Sequence, residues 1–298
     1  MIDINTASKQ LIQLWNQPEF LEAGISVDIL RLDLLHPTVS GNKWLKLKGY
    51  LRKATTENKA GIITKGGPWS NHAHACAYAC KAFGLSCELW IKGHEKLQTP
   101  TLQDCTGWGA KIRFINRQAF YDEPSAQLYA DENNLLYIAL GGAGVTGIKS
   151  VTDYITNLNL NTYTHAICSV GTATTLAGLA FVQNNFTQIL GIESGTKDEQ
   201  LNEKITAWQQ QLPEKIIQIS HDFTFGGYSK YNAELIKFMN ELYLKNGLPT
   251  DIVYTAKLFF AVQALIKKAY FPAESKVLII HSGGLQGNRS LPNTFLQF

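Results

Sequence analysis

Two lysines mark the start of a predicted helix in the segment SGNKWLKLKGYLRKA, where Lys43 falls in the first turn and Lys46 follows three residues later. The positive end of the helix dipole and the neighbouring ammonium both disfavour a cation there, so we expect a lowered lysine pKa. A lysine with such a pKa is a nucleophile or a base. The alternative is a solvated basic helix, which Lys48, Arg52 and Lys53 favour.

A second segment, TKGGPWSNHAHACAYA, opens a predicted helix with Ser70, Asn71 and His72 after a strand and two glycines. Such an opening presents backbone amides and short polar side chains to an anion, which could be a carboxylate. The alternative is that Ser70 or Asn71 only caps the helix and that His72 lies on the surface.

A third segment joins the strand HAICSV to an apolar helix through a turn of small and hydroxyl residues, namely Gly171, Thr172, Ala173, Thr174 and Thr175. Successive amides and hydroxyls at a helix N-terminus form a cradle for phosphate. The turn lacks the Gly-Lys-Ser/Thr of a Walker loop, so the phosphate belongs to something other than a nucleoside triphosphate cleaved with magnesium.

A fourth segment, IIHSGGLQGN, places Ser282 and two glycines after a buried strand, and the tyrosines Tyr228 and Tyr254 precede it in the sequence. Buried tyrosines are more often structural than catalytic. The glycines of GGAGVTG have the GxGxxG spacing, but no acid follows about 20 residues later, which argues against a dinucleotide site.

The elements that position these turns alternate along the chain. Short apolar runs predict strands at 60–65, 86–92, 110–115, 135–140, 165–170, 187–193 and 276–282. Helical periodicity lies between them at 43–57, 70–84, 98–107, 118–133, 145–158, 173–185, 197–212, 231–246 and 255–269. This pattern predicts an α/β fold with parallel sheets covered on both faces. Ligands of such folds lie beyond the carboxyl ends of the strands.

Composition excludes several classes of protein. With 298 residues, 45% hydrophobic and 17% charged, the chain is neither disordered nor collagenous. Its net charge of +3 comes from scattered basic residues, which argues against a nucleic-acid partner. The N-terminus lacks a secretory signal and no 18-residue apolar span occurs, so we expect a cytoplasmic protein without a membrane partner.

Cysteine usage fits a reducing compartment. Five cysteines occur, and none has the CxxC or His-rich spacing of a metal site, so we expect no metal. Cys76 and Cys80 share one face of a predicted helix and are expected to pack as small apolar groups.

The order GNKxxKL, GGxxSN, Gly-Thr turn, VYxxK and HxGG resembles the pyridoxal-phosphate enzymes of the tryptophan synthase β-subunit type, fold type II. Within that group it is similar to the family of 1-aminocyclopropane-1-carboxylate deaminases and D-cysteine desulfhydrases, from about Leu32 to Asn288. The resemblance implies two three-layer α/β/α domains with mostly parallel sheets, and a homodimer. Residues 1–51 plus 159–298 would form the large cofactor-binding domain and residues 52–158 the small domain.

The resemblance also implies pyridoxal 5'-phosphate as the cofactor, bound covalently to Lys43. Lys46 and the turn of residues 171–175 would hold its phosphate, and Asn71 would face its phenolic oxygen. Thr255 falls beside the pyridine nitrogen, and Ser282 belongs to the same set of cofactor residues.

The substrate side follows from the same resemblance. Ser70, Asn71 and His72 would bind the substrate carboxylate, and Tyr228 and Tyr254 would line the substrate. The residues expected to be catalytic are Lys43, Ser70, Tyr228 and Tyr254.

Two positions distinguish the branches of the family. The cyclopropane deaminases have an acid after VY and a leucine between His and Gly-Gly, whereas this chain has Thr255 and Ser282. An acid keeps the pyridine nitrogen protonated and the ring a strong electron sink, while a hydroxyl leaves it mostly neutral and suits β-elimination. We therefore expect α,β-elimination from a small β-substituted amino acid, with cyclopropane ring opening and a non-catalytic cofactor-binding protein as alternatives.

Overall fold

The structure, a computed structural model, describes residues 11–183, 186–195 and 200–298. Within these ranges the strands are β1 (Ile12–Leu14), β2 (Ser26–Arg31), β3 (Gly61–Gly66), β4 (Ser86–Lys92), β5 (Lys111–Ile115), β6 (Leu135–Ile138), β7 (His165–Val170), β8 (Gln188–Glu193), β9 (Ile216–Ser220) and β10 (Lys276–His281). The helices are α1 (Pro18–Glu22), α2 (Gly41–Thr56), α3 (Asn71–Phe83), α4 (Pro100–Gly107), α5 (Arg117–Tyr121), α6 (Glu123–Glu132), α7 (Val145–Thr156), α8 (Thr174–Ala180), α9 (Leu201–Gln211), α10 (Ala233–Asn246) and α11 (Thr255–Lys267).

The strands form two sheets. The larger has the order β1-β2-β10-β7-β8-β9 and is parallel except for β1, which runs antiparallel to β2. The smaller has the order β5-β4-β3-β6 and is parallel throughout. The predicted α/β fold with mostly parallel sheets is thus confirmed. All strands of the smaller sheet lie between residues 61 and 138, and the predicted domain boundaries stay a prediction.

Strand β10 shows why the larger sheet needs helices on both faces. Val277 and Ile279 join the hydrophobic cluster that includes Phe259 of α11, while Leu278 and Ile280 join a second cluster. All four β10 residues are fully buried, because successive side chains of a strand point to opposite faces. A run of apolar residues without alternation is therefore what this central strand requires.

Several elements differ from the prediction. Strands β1, β2 and β9 and helix α1 were not predicted, and the helix predicted over 118–133 is two helices separated at Asp122. The Asp122 side chain accepts a hydrogen bond from the backbone of Ser125 at 3.0 Å, so it caps α6 and Pro124 occupies the first turn. Helix α8 ends at Ala180 rather than at 185, and the predicted positions 184–185 and 197–199 lie outside the described residues.

Cys76 and Cys80 share one face of α3, as predicted. Cys87 of β4 adds a third thiol, and the three sulfurs lie within 4.8 Å of one another. All three are free and buried, so they form part of the core. In the ranges that the structure describes, none of the helices has both the length and the apolar character needed to span a membrane.

Candidate active site

The four segments selected from the sequence meet at the carboxyl ends of parallel strands. Three of them follow strands directly, namely residues 70–72 after β3, residues 171–175 after β7 and residues 282–284 after β10. The fourth, the start of α2, packs against the turn after β10. Two sheets therefore contribute to one site, as expected for ligand sites of open α/β folds.

Glycine at position 41 makes the contact between α2 and the β10 turn possible. Gly41 has a φ of +68°, and a Cβ there would lie 1.8 Å from the carbonyl oxygen of Ser282. The backbone N–H of Asn42 donates to that same oxygen at 3.3 Å. The close backbone approach fixes where Lys43, two residues further on, enters the site.

Lys43 lies between an amide and an aromatic ring. Its Nζ donates to Oδ1 of Asn42 at 3.1 Å and lies 5.6 Å from the ring centroid of Tyr254. The Asn42 amide in turn donates to Oγ1 of Thr175 at 2.9 Å, which connects Lys43 to the turn after β7. Asn42 was missed as a site residue, although the motif GNK contains it.

Burial lowers the pKa of Lys43 to about 8, while the carboxylate of Asp251 opposes this shift. The predicted direction is confirmed, but the predicted cause is wrong. Removal from water, rather than the helix dipole or Lys46, is the main cause.

Lys46 is a second lysine in the site. It is 3% exposed, and its Nζ donates to the carbonyl of Gly141 at 3.2 Å. Burial, followed by the charge of Lys43, holds its pKa well below the usual range. Both lysines contact neutral oxygens rather than carboxylates, so the pocket favours an anion.

His72 is buried at 2% exposure, so the alternative of a surface histidine is wrong. Its Nε2 lies 3.0 Å from Oγ1 of Thr64, and this hydroxyl donates to the carbonyl of Ile138 at 2.7 Å. Nε2 therefore carries the hydrogen, and Nδ1 has no hydrogen-bond partner among the described residues. Burial and the two lysines, Lys43 and Lys46, lower the pKa of His72 to about 3, so the ring is neutral.

This arrangement limits the part of His72 that could serve the predicted carboxylate site, and that role stays a prediction. The His72 ring has no hydrogen left to donate to a substrate carboxylate, because Nε2 donates to Thr64 and Nδ1 is an acceptor. Only the backbone N–H of His72, in the first turn of α3, remains suited to that anion.

Glycines after β6 pack closely against Lys46 and the turn after β7. A Cβ at Gly141 would lie 3.1 Å from Cγ2 of Thr172, and one at Gly142 would lie 3.2 Å from Cδ of Lys46. Thr172 and Thr174 pair through their hydroxyls at 3.0 Å, and Ala173 between them has a φ of +55°. A strained alanine of this kind persists where its surroundings hold it, often at a functional site. The glycines of GGAGVTG thus belong to the site itself.

Ser70 caps α3, as the structural alternative predicted. Its Oγ accepts a hydrogen bond from the backbone of Ala73 at 3.1 Å. The hydroxyl hydrogen is not used in this bond and can still be donated to a ligand.

Asn71 is oriented by a glutamine that sequence reasoning missed. The Gln286 amide donates to Oδ1 of Asn71 at 2.5 Å and to the carbonyl of Trp69 at 3.2 Å, and it accepts from Thr101 at 2.8 Å. With Oδ1 committed to Gln286, the Nδ2 donors of Asn71 are directed elsewhere. Gln286 lies in the segment IIHSGGLQGN, but a glutamine there carries no distinctive signal.

Asp251 is a third site residue that the sequence did not indicate. Its carboxylate accepts from the backbone N–H groups of Val253, Tyr254 and Thr255 at 3.0, 3.1 and 2.8 Å, and from Oγ1 of Thr255 at 2.7 Å. Burial raises its pKa, and these four donors oppose the shift. Thr255 is therefore not an isolated hydroxyl, because a buried carboxylate accepts its hydrogen.

The two predicted tyrosines form a pair. The Tyr254 hydroxyl lies 3.4 Å from that of Tyr228, and a Cβ at Gly171 would lie 3.2 Å from the Tyr254 ring. Burial raises the pKa of both hydroxyls, so both remain protonated. Ser282 lies at the same strand ends, with its Oγ 3.4 Å from that of Ser169.

The residues present fit pyridoxal phosphate. A partly buried lysine with a pKa of about 8 suits a bond to an aldehyde, and the buried Lys46 suits a phosphate. Because Gly141, Gly142 and Gly171 have no side chains, backbone atoms line the turn around Thr172 at these positions. A bound dianion would compensate the positive charge that Lys43 and Lys46 bring into the pocket.

These features define an α/β enzyme with an amine and an anion site at the facing carboxyl ends of two parallel sheets. The pattern of the family described as pyridoxal-phosphate dependent enzyme matches residues 18–283, and the chain belongs to this family. It is therefore an enzyme whose cofactor is pyridoxal phosphate.

Three similar proteins carry the name of one enzyme type within this family. The chain is 29% identical over 289 residues to a putative 1-aminocyclopropane-1-carboxylate deaminase of Pyrococcus abyssi, covering 89% of this chain and 86% of the relative. It is 22% identical over 307 residues to the 1-aminocyclopropane-1-carboxylate deaminase of Rhizobium radiobacter, covering 92% and 87%. A crystal structure of an ACC deaminase homologue has a TM-score of 0.76 at 26% identity, covering 93% of this chain and 90% of that one.

The lowered pKa of Lys43 predicts how the apoenzyme takes up its cofactor. Because only the neutral amine attacks an aldehyde, a pKa of about 8 makes the reactive fraction rise about tenfold between pH 7 and pH 9 and then level off. Stopped-flow absorbance with pyridoxal phosphate measures this rate. Nα-acetyl-lysine in solution is the control, because its rate should keep rising beyond pH 10. A rate for the protein that also rises without levelling off would contradict the lowered pKa.

Proposed function

We propose that the enzyme is a lyase that performs α,β-elimination on a small amino acid with a leaving group at Cβ. With water, such a substrate gives pyruvate, ammonia and the leaving group, which is sulfide when the substrate is cysteine. The observation that carries the proposal is the partly buried Lys43 amine, 3.1 Å from Asn42 and beside the Tyr254 ring, next to the buried Lys46.

Residues from four segments would hold the cofactor. Lys43 would bond to its aldehyde, Lys46 and the turn of residues 171–175 would hold the phosphate, and Asn71 would donate to the phenolic oxygen. Thr255 and Ser282 would contact the pyridine ring of the cofactor. The bound cofactor supplies an aldehyde for the substrate amine and a ring that accepts electrons from the α-carbon.

Ser70 would bind the substrate carboxylate through its hydroxyl, together with the backbone N–H groups of Asn71 and His72. These groups lie at the N-terminus of the 13-residue helix α3, where backbone donors and the helix dipole both favour an anion. The carboxylate would orient the substrate so that its α-hydrogen faces Lys43.

Lys43 Nζ would remove the α-proton as a neutral amine, which its lowered pKa supports. The hydroxyls of Tyr254 and Tyr228 are protonated and adjacent, so either could donate a proton to the departing β-substituent. The pair thus supplies the acid, and Lys43 supplies the base.

Deamination of 1-aminocyclopropane-1-carboxylate is the second candidate. The names of the relatives favour it, and so does the carboxylate of Asp251 behind Thr255. A hydroxyl that donates to a buried carboxylate is a better acceptor for a protonated pyridine nitrogen than a hydroxyl alone, which would strengthen the electron sink.

The two candidates give different keto acids, and we expect pyruvate. The holoenzyme is incubated with D-cysteine, L-cysteine, D-serine or 1-aminocyclopropane-1-carboxylate, and pyruvate and 2-oxobutyrate are measured separately by chromatography. A kcat/KM at least about tenfold higher for one cysteine than for the cyclopropane would support elimination, because this ratio corresponds to about 1.4 kcal/mol of transition-state preference. Lys43→Ala protein is the control for non-enzymatic sulfide release.

More 2-oxobutyrate from the cyclopropane than pyruvate from any β-substituted substrate would establish the second candidate instead. Neither keto acid from a protein that carries its cofactor would indicate a non-catalytic binding protein.

A further inference from the structure

Lys257, in the first turn of α11, is fully buried and donates to three backbone carbonyls. Its Nζ lies 3.0 Å from the oxygen of Ser194, 2.8 Å from that of Thr224 and 2.8 Å from that of Gly227. An ammonium has three N–H donors, so each hydrogen has one acceptor. Charged hydrogen bonds of this kind are stronger than those between neutral groups.

Two of the three carbonyls, those of Thr224 and Gly227, belong to one turn, and that of Ser194 belongs to the segment after β8. Phe225, Gly226 and Gly227 have φ values of +53°, +90° and +127°, three consecutive residues in the left-handed region. A Cβ at Gly195 would lie 2.5 Å from the Gly227 carbonyl carbon, so the segment after β8 also packs closely on this turn. Glycine adopts a positive φ without strain, so the backbone strain of this turn lies at Phe225, and the carbonyl dipoles of Thr224 and Gly227 point to Lys257.

The turn carries Tyr228, which follows Gly227 directly. The Tyr228 side chain is 49% exposed, and its hydroxyl lies 3.4 Å from that of Tyr254, beside Lys43. Since half of its surface faces solvent, the position of Tyr228 depends on the backbone that carries it.

We propose that Lys257 is a positioning residue that occupies, as a built-in cation, a three-carbonyl site and thereby holds Tyr228 against Tyr254 on the substrate side. The proposal rests on the function proposed above. Backbone carbonyls are also the ligands that proteins offer to potassium, so a small monovalent cation has the chemistry to replace the ammonium.

The charge on Lys257 is consistent with this role. Burial lowers its pKa to about 8, and the carboxylates of Asp251 and Glu193 oppose the shift. At pH 7 the side chain is mostly protonated, so all three donors are present.

Lys257→Met tests the proposal, because methionine keeps an unbranched apolar stem but ends one atom short of Nζ, which removes the donors and the charge and leaves the position between the carbonyls open. In sodium buffer we expect faster hydrogen exchange over residues 221–231 and a KM for the amino acid raised about tenfold, since carbonyls lose their donors and the turn loosens. The kcat should change less than threefold or so, because Lys257 touches no reacting atom. The absorbance of the lysine-bound cofactor should persist.

Added cations distinguish the proposed role from a purely structural one, because a purely structural lysine would not be replaced by a cation in solution. Ammonium or potassium chloride at about 100 mM should restore both exchange protection and KM in Lys257→Met, because these ions fit a carbonyl site, whereas tetramethylammonium chloride is too large and should not. Wild-type protein should respond to none of the three salts.

Lys215→Met is the matched control. Lys215 is also buried, and its Nζ donates to a single carbonyl, that of Val182, at 2.5 Å. This variant should lose stability but show no change in KM and no cation response. An equal cation response in both variants, or none in Lys257→Met, would overturn the proposal.

Folding of the variant gives a further test. Lys257→Gln keeps two N–H donors and should lie between wild type and Lys257→Met in exchange. If Lys257→Met folds in neither sodium nor ammonium buffer while Lys257→Gln equals wild type, the charge is not required and the proposal fails. Exchange does not depend on turnover, so a wild-type protein that releases no keto acid would refute the proposed function without affecting this test.

Discussion

Lys43→Ala should abolish the absorbance of a lysine-bound cofactor and lower kcat/KM by about 10³-fold or more, because in the proposed function one amine both bonds to the aldehyde and removes the α-proton. The proposed phosphate site should survive, since Lys46 and the turn after β7 do not depend on the Lys43 side chain. Pyridoxal phosphate should therefore still bind, but with the spectrum of the free aldehyde. Absorbance spectra after gel filtration and keto-acid release measure the two effects.

Two controls separate the chemistry of Lys43 from its charge. Lys48→Ala removes an exposed lysine from the same helix and should leave both readouts unchanged. Added methylamine should restore part of the turnover of Lys43→Ala, because a small amine can enter the space that the side chain leaves. Turnover that stays within about tenfold of wild type without added amine would refute the proposed role.

Most of the site could be predicted because its chemistry lies in turns. Lys43, Lys46 and the Thr172 turn stand next to strand ends or helix starts, and parallel strands bring such turns to one edge. The residue spacing could not reveal why the pKa of Lys43 is lowered, because burial is a property of the packed protein.

Two of the missed residues have roles that come from tertiary contacts, because Gln286 binds Asn71 across the site and Cys87 joins two cysteines of another element. Asp251 differs, since its carboxylate binds residues 253–255 of its own turn, and the sequence did not show that this turn and its carboxylate are buried. Strand β2 was missed for a similar reason. Its sequence SVDILR contains Asp28, which accepts from Tyr163, and Arg31, so its polar residues hide an otherwise buried strand.

Gly41→Ala should be strongly destabilising, although it removes no functional side chain. An alanine at a φ of +68° costs about 1 to 2 kcal/mol in backbone conformation alone. Its Cβ would also lie 1.8 Å from the Ser282 oxygen, and relieving such overpacking in a rigid backbone costs roughly a further 1 to 3 kcal/mol. We expect unfolding free energy to fall by about 3 kcal/mol or more.

Gly84→Ala isolates the contribution of the contact. Gly84 ends α3 with the same φ of +68°, and a Cβ there would have nothing within 4 Å. The unfolding free energy of Gly84→Ala should fall only by the conformational cost of about 1 to 2 kcal/mol, and its cofactor affinity should not change. Gly41→Ala should bind pyridoxal phosphate more weakly as well, because the start of α2 must move away from the β10 turn and carries Lys43 with it. Urea unfolding and cofactor titration of both proteins measure this, and equal losses would mean that the contact between Gly41 and Ser282 does not set the position of Lys43.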